Sequence, residues 1–334
     1  MIGSPWQYNS DRYHCVVSIN TLLISLELVT EIYHRPLLSL VFEAQTIHRQ
    51  FHQTDAVQMC TLSNIKSGRC PEDCKYCPQS SRYPTEVEKY PLLPLNEVIS
   101  QAQDAKAHGA TRFCMGAAWR NAPDGEEFER VLQMVETVAG MGMEACVTMG
   151  MLRPDQAQRL AKAGLTAYNH NLDTSESFYP EIITTRTYRD RLETIQNVAD
   201  AGIQVCCGGI VGMGETDSDR IDLLHTLANL TPQPASVPIN ALSPVAGTPL
   251  GNLEAINPLV LVRMVATARI IMPKAIVRLS AGRDRLTVSD QALCFLAGAN
   301  SIFSSEKLLT TANPNWQDDA AMFEKLGVKP KEFA

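Results

Sequence analysis

From residue 58 onward the chain repeats one alternation, a short strand-like run followed by an amphipathic helical run, until eight strands have been named. The strand-like runs are Gln58–Ile65, Arg112–Trp119, Glu144–Gly150, Ala167–Asp173, Gln204–Met213, Ser236–Leu242, Ala275–Ala281 and Ser301–Ser304. Between them, Leu95–His108, Glu126–Met141, Pro154–Ala163, Tyr188–Ala201, Ser218–Leu230, Pro258–Ile271 and Val288–Ala297 read as helices. Gly109, Gly142, Gly164, Gly202 and Gly298 stand just past helical runs, where left-handed backbone is wanted. Strands alternating with helices argue a parallel sheet, and eight is the number that closes a (β/α)8 barrel. A doubly wound open sheet is the alternative.

Ahead of the alternation, residues 23–50 carry apolar residues at helical spacing, and Pro36 divides them into two helices. The expected organisation is an N-terminal extension over 1–22, a barrel with leading helices over 23–305, and a closing cap over 306–334. Cys15–Leu28 is fairly apolar, but Asn20 and Glu27 interrupt it and no small-residue cleavage site follows, which argues against a signal peptide. No run of apolar residues is long enough to span a bilayer. A net charge of −7 argues against a nucleic-acid partner. Five of the ten cysteines sit in strand-like runs, which suits thiols in a reducing compartment, the cytoplasm, better than a disulfide scaffold.

The loop after the first strand reads Cys70-Pro-Glu-Asp-Cys74-Lys-Tyr-Cys77-Pro. Three thiols at this spacing can wrap one face of a cubane [4Fe–4S] cluster, which wants four ligands. With no fourth Cys nearby, one iron is left for a ligand that is not protein. Zinc is the rival, but His52 and His108 are both distant in sequence. The spacing, with the aromatic Tyr76 before the last Cys, is the signature of the radical SAM enzymes, which resemble this chain in that loop. In that family the open iron is chelated by S-adenosylmethionine. In a barrel, the loops after the strands form the active-site face.

Other strands carry polar or soft side chains where a barrel lumen would be. Asn169, Asn171 and Asp173 share one face of the fourth strand by alternation, with His170 on the other. Burying three such groups is costly unless they bind something. The fifth strand holds Gly208-Gly-Ile-Val-Gly212, which lets backbone approach a ligand closely; radical SAM enzymes place a related pattern, with Ile210, against the adenine. Cys114, Cys146 and Cys206 lie in strands two, three and five, and Arg278 lies in strand seven among apolar neighbours. Each Cys alone is more often core than ligand, but a strand Arg needs a partner, so a second metal centre in the lumen is one reading of this set.

Taken together the chain resembles the biotin synthase family from about Leu23 to Thr311. The resemblance rests on Cys70–Gln79, Arg112–Trp119, Tyr168–Ser175, Ile183–Tyr188, Gly208–Gly212, Pro238–Asn240 and Val277–Arg283. It implies a homodimeric, radical SAM sulfurtransferase that makes biotin from dethiobiotin, with electrons from a flavodoxin or ferredoxin-type donor. It assigns Cys70, Cys74 and Cys77 to the [4Fe–4S] cluster, and Cys114, Cys146, Cys206 and Arg278 to a [2Fe–2S] cluster that donates sulfur. Tyr76, Asn171, Asp173, Arg191 and Ile210 match positions around S-adenosylmethionine. Asn169, Asn171, Asn240, Thr310 and Thr311 match positions around the substrate. No side-chain acid or base is implied, because the substrate's C–H bonds are unactivated and the hard chemistry belongs to cofactors. Cys207 stands beside Cys206 where a smaller residue is more usual, and a local bulge would exchange the two. A cofactor-maturation or methylornithine-type radical SAM enzyme shares the Cys70 loop but need not carry the second set. An iron–sulfur or zinc carrier would have no use for Tyr168–Asp173 or Asn240.

Overall fold

The structure is a computed structural model that describes residues 23–332, so the expected extension over 1–22 lies outside the described residues. The central sheet is built from β1 (Ala56–Lys66), β2 (Arg112–Ala117), β3 (Glu144–Thr148), β4 (Ala167–Asn169), β5 (Gln204–Cys206), β6 (Gly209–Val211), β7 (Ser236–Ala241), β8 (Ile276–Leu279) and β9 (Ser301–Phe303). All pairings among them are parallel, and β9 returns to pair with β1 through Gln58↔Ser301 and Cys60↔Phe303, which closes a (β/α)8 barrel. Strand alternation divides each strand between two environments. On β2, Phe113 and Met115 are fully buried in the outer core, while Cys114 belongs to a separate thiol-rich cluster within the ring. Each such apolar side chain removed from water contributes about 1.5–3 kcal/mol.

One expected strand is broken. The run Gln204–Met213 forms β5 and β6, interrupted at Cys207 and Gly208. Gly208 lies so close to β7 that a Cβ there would sit 1.9 Å from the Pro238 carbonyl oxygen. Its N–H donates to Asn171 Oδ1 at 3.1 Å, a side-chain bond in place of a ladder bond. The fourth strand also ends early, at Asn169, and pairing resumes only where Asp173 bridges Gly209.

Two helices, α1 (Leu26–His34) and α2 (Leu37–Phe51), precede the barrel and part at Pro36. The outer layer is α3 (Leu95–Ala107), α4 (Glu126–Gly140), α5 (Pro154–Lys162), the single turn α6 (Tyr179–Ile182), α7 (Tyr188–Asp200), α8 (Asp217–Asn229), α9 (Pro258–Ile271) and α10 (Val288–Leu296). Reciprocal capping boxes start α7, α8 and α10 through Thr187–Asp190, Thr216–Asp219 and Thr287–Asp290. Each cap is worth about 1 kcal/mol. Buried Arg269 on α9 ties this helix to the loops below the barrel, donating to the carbonyls of Pro273 at 2.9 Å, Ala275 at 2.7 Å and Gly298 at 2.8 Å.

The tail runs the length of the barrel. A short antiparallel hairpin, β10 (Lys307–Leu308) and β11 (Thr311–Ala312), lies at the C-terminal end of the strands. Its turn residue Leu309 has φ +55° and reaches over Gly116, where a Cβ would meet Leu309 Cδ2 at 2.6 Å. The helix α11 (Trp316–Leu326) follows, anchored by the buried ion pair of Asp319 with Arg283. Finally β12 (Lys329–Pro330) pairs with the first residues of β1, at the opposite end from the hairpin.

Candidate active site

A cavity of about 310 Å³ opens at the C-terminal end of the barrel and descends into the lumen. Its rim includes Cys70, Cys74 and Cys77. The loop that carries them turns at Gly68 (φ +72°) and Arg69 (φ +58°) and closes on itself. Cys70 N–H donates to the Gln79 carbonyl at 3.0 Å, Ser81 N–H to the Cys70 carbonyl at 2.7 Å, and Cys77 N–H to the Cys74 carbonyl at 2.9 Å. Asp73 fastens the loop sideways, accepting from the Thr184 and Thr185 N–H groups at 2.9 and 3.2 Å. The three thiols are free, and burial pushes Cys70 up, Cys74 to about 11 and Cys77 to about 12. Thiols held this way are protonated and inert at neutral pH until a metal displaces the proton. Among the described residues, no three His, Cys, Asp or Glu side chains converge on a single metal ion. The spread triad suits a polynuclear cluster, whose irons meet the sulfurs part way.

Beside the rim, Asp173 sits in left-handed backbone (φ +70°), 2% exposed. Its Oδ2 accepts from Tyr76 Oη at 2.7 Å and from Arg191 Nη2 at 2.5 Å. Arg191 also donates to the Asn171 carbonyl at 2.5 Å and to Tyr179 Oη at 2.8 Å, so its three nitrogens are all engaged. Ile210 N–H donates to the Asp173 carbonyl at 2.8 Å, which sets the Gly-rich segment against this group. Asn169 donates to Asn171 Oδ1 at 3.1 Å, and Asn240 donates to the Gly209 carbonyl at 2.9 Å; all three Asn border the cavity. His170, expected on the opposite face, borders it as well, because regular strand ends at Asn169. Burial holds His170 well below the usual imidazole range. Thr310 and Thr311 reach the cavity from the hairpin at its mouth.

Deeper in the lumen, Cys114 and Cys146 are direct cross-strand neighbours, and Cys206 packs with them. The hydrogen bond from Cys114 draws Cys146 down to about 7, helped by Arg112 and Arg278 against the effect of burial. Arg278 is 1% exposed and, among the described residues, pairs with no carboxylate. Its guanidinium instead donates to Ser301 Oγ at 2.9 Å, stands 3.7 Å from Cys206 Sγ and stacks 5.0 Å from the Phe303 ring. A buried cation facing several thiols asks for negative charge on the sulfurs, as in an iron–sulfur centre. Cys207 points elsewhere, into the apolar layer beneath the helices. The floor below is polar and closed, with Arg112 bonded to Glu144 at 2.6 Å and to Ser236 at 2.9 Å.

Two residues went unassigned in the sequence. Cys60, fully buried, packs with Cys114, Cys146 and Cys206. Its only sequence signal is its place two residues after Gln58 and two before Leu62, on the lumen face of β1. Arg186 borders the cavity, its Nε without a hydrogen bond but ion-paired 3.8 Å from the Glu72 carboxylate. It stands within the Ile183–Tyr188 stretch, which gives no role to an Arg by spacing alone.

The radical SAM superfamily profile matches residues 64–227, and that of the biotin and thiamin synthesis associated domain matches 238–329. The biotin synthase of Synechococcus sp. (strain JA-3-3Ab) is 68% identical over 309 residues, covering 92% of this chain and 100% of its own length. That of Gloeobacter violaceus is 59% identical over 303 residues, covering 91% and 95%. Among solved structures, a methylornithine synthase superposes with a TM-score of 0.78 at 17% identity, covering 93% of this chain and 95% of its own. The hydrogenase maturase of Carboxydothermus hydrogenoformans does so at 0.78 and 16%, covering 93% and 76%. The last two show the fold alone.

Proposed function

The chain belongs to the biotin synthase family, and on that premise we propose that it inserts sulfur into dethiobiotin with the cavity residues divided between two iron–sulfur centres. It is a radical SAM enzyme, and the family's cofactors are S-adenosylmethionine, a [4Fe–4S] cluster and an auxiliary [2Fe–2S] cluster. The observation that carries the division is the pair of thiol sets, one at the rim and one deep in the same cavity.

When bound, these groups supply one-electron hydrogen abstraction from unactivated carbon and a source of sulfur. The chain's own residues bind, orient and exclude. Cys70, Cys74 and Cys77 hold the cubane and leave one iron for S-adenosylmethionine. Cys114, Cys146, Cys206 and Arg278 hold the second cluster. Asp173 offers its free carboxylate oxygen to the ribose hydroxyls, while Tyr76 and Arg191 lock the other oxygen. The Arg191 charge, already shared with Asp173, orients the methionine carboxylate, and Ile210 covers the adenine. Asn169, Asn171 and Asn240 present amides to the ureido ring, and Thr310 and Thr311 receive the substrate carboxylate. No side chain moves a proton in this scheme. The lumen walls keep water from the reacting carbon.

The finer partners belong to the same proposal: a homodimer, reduced by a flavodoxin or ferredoxin-type donor, in the cytoplasm. The nine described cysteines are all free thiols, which suits a reducing compartment. Among the described residues, no helix is long and apolar enough to cross a membrane. Anaerobic reconstitution with iron and sulfide tests the reading. Both clusters should assemble, and dethiobiotin with S-adenosylmethionine and a reductant should give biotin. Binding of only a cubane's worth of iron would sink the two-centre assignment.

A further inference from the structure

The deep thiol set has one more member than the second centre uses. Cys60 lies on β1, in register with Arg112 on one side and Phe303 on the other. It is fully buried and in contact with the group formed by Cys114, Cys146 and Cys206. Its Sγ lies 3.5 Å from Ser301 Oγ, and the same hydroxyl accepts from Arg278 Nε at 2.9 Å. Cys60 and Arg278 therefore approach one hydroxyl from neighbouring sides, each beside the three other thiols. Arg278 contributes a nitrogen on a cation that is hard to deprotonate, whereas Cys60 offers a soft sulfur, the ordinary ligand of iron in such centres.

We propose that Cys60 is a reserve ligand for the second iron–sulfur centre, able to bind iron in place of Arg278. The inference rests on the two-centre reading above. In this arrangement the guanidinium and the Cys60 thiol compete for one iron position. When Arg278 holds iron, Cys60 keeps its contact with Ser301. When it does not, the Cys60 sulfur takes that iron position, its proton is released to solvent, and an all-thiolate set is complete. No electron changes hands in the exchange.

The test is iron and acid-labile sulfide content, with visible absorption, after anaerobic reconstitution of the full chain with ferrous iron and sulfide. The proteins are wild type, Cys60→Ser, Arg278→Met and Arg278→Met/Cys60→Ser. The expected result is that Cys60→Ser keeps both centres with an unchanged spectrum. Arg278→Met keeps the iron and sulfide of both centres with altered charge-transfer bands, and the double variant falls to the cubane's share. Equal content and spectra in Arg278→Met and the double variant would overturn the role of Cys60. Loss of the second centre in Arg278→Met alone, or in Cys60→Ser alone, would overturn it too, since the first means no takeover and the second a required ligand. The cubane spectrum retained in each variant reports that the barrel is folded. A wild-type protein that binds only the cubane would instead overturn the two-centre reading itself.

Discussion

Asp173 combines a costly backbone conformation with a buried charge, and both are held by named partners. A non-glycine residue at φ +70° is sterically disfavoured, yet the Ile210 N–H and the Asp173 bridge to Gly209 keep it there. Its carboxylate neutralises Arg191, and removing one member of such a buried pair costs about 3–5 kcal/mol. Asp173→Asn should weaken S-adenosylmethionine binding to the reconstituted protein by about 100-fold, read by equilibrium dialysis. Tyr76→Phe removes a single hydrogen bond to the same oxygen and should cost only about 3- to 10-fold. Unchanged binding in Asp173→Asn would remove the residue from the cofactor site. The three rim cysteines were legible because their signal is local, a fixed spacing in one loop. Cys60 was not, because one Cys in an apolar strand has no spacing to read. The sequence also offered Asp173 and Arg191 as separate ligands; that they engage each other is a contact between the end of one strand and a later helix.

At the scale of elements, the attachment of α2 to the foot of α9 is sensitive to pH. His48 and His52 stack at 5.2 Å, and His52 Nε2 meets the Pro273 carbonyl at 2.9 Å beside Arg269. Burial, then the charge of Arg269, lowers His48 to about 3 and His52 to about 4; Arg49 adds to the first and Lys331 to the second. Both imidazoles are thus neutral when folded, whereas in the unfolded chain they take up protons near pH 6.5. The unfolded state binds more protons across that window, so stability falls as pH drops from about 6.5 towards 4. The melting temperature of the apoprotein should decline over this range, and His48→Phe, which keeps a ring on His52, should make the decline shallower. An unchanged slope would show that His48 does not titrate in this way. The same scale explains the misjudged fifth strand. The Gly208-Gly209 pair marks a close backbone approach, but that the approaching backbone is Pro238, on a strand later in the chain, leaves no local mark.

At the scale of the molecule, the barrel could be counted from the sequence because its strands and main helices announce themselves by period, and five of those helices also by a terminal Gly. The course of the tail could not, since two residues of β12 pair with the start of the first strand across the whole sequence. Its hold depends on Asp319 and Arg283, both 1% exposed. Asp319→Leu strands a buried guanidinium and should destabilise the apoprotein by about 3–5 kcal/mol in urea unfolding. Arg283→Met/Asp319→Leu should recover most of that loss, and equal instability in both would show that the pair has no special weight. The tail also places a hairpin at the C-terminal end of the strands, where the cavity opens, while Arg112, Arg278, Gln58 and Ser301 lie buried towards the other end. A vessel filled from its upper end imposes a queue. Whatever sits against the floor has to arrive before the occupant of the rim and has to leave after it. The order of traffic through this enzyme is therefore written in the shape of its lumen, before any difference in affinity is counted.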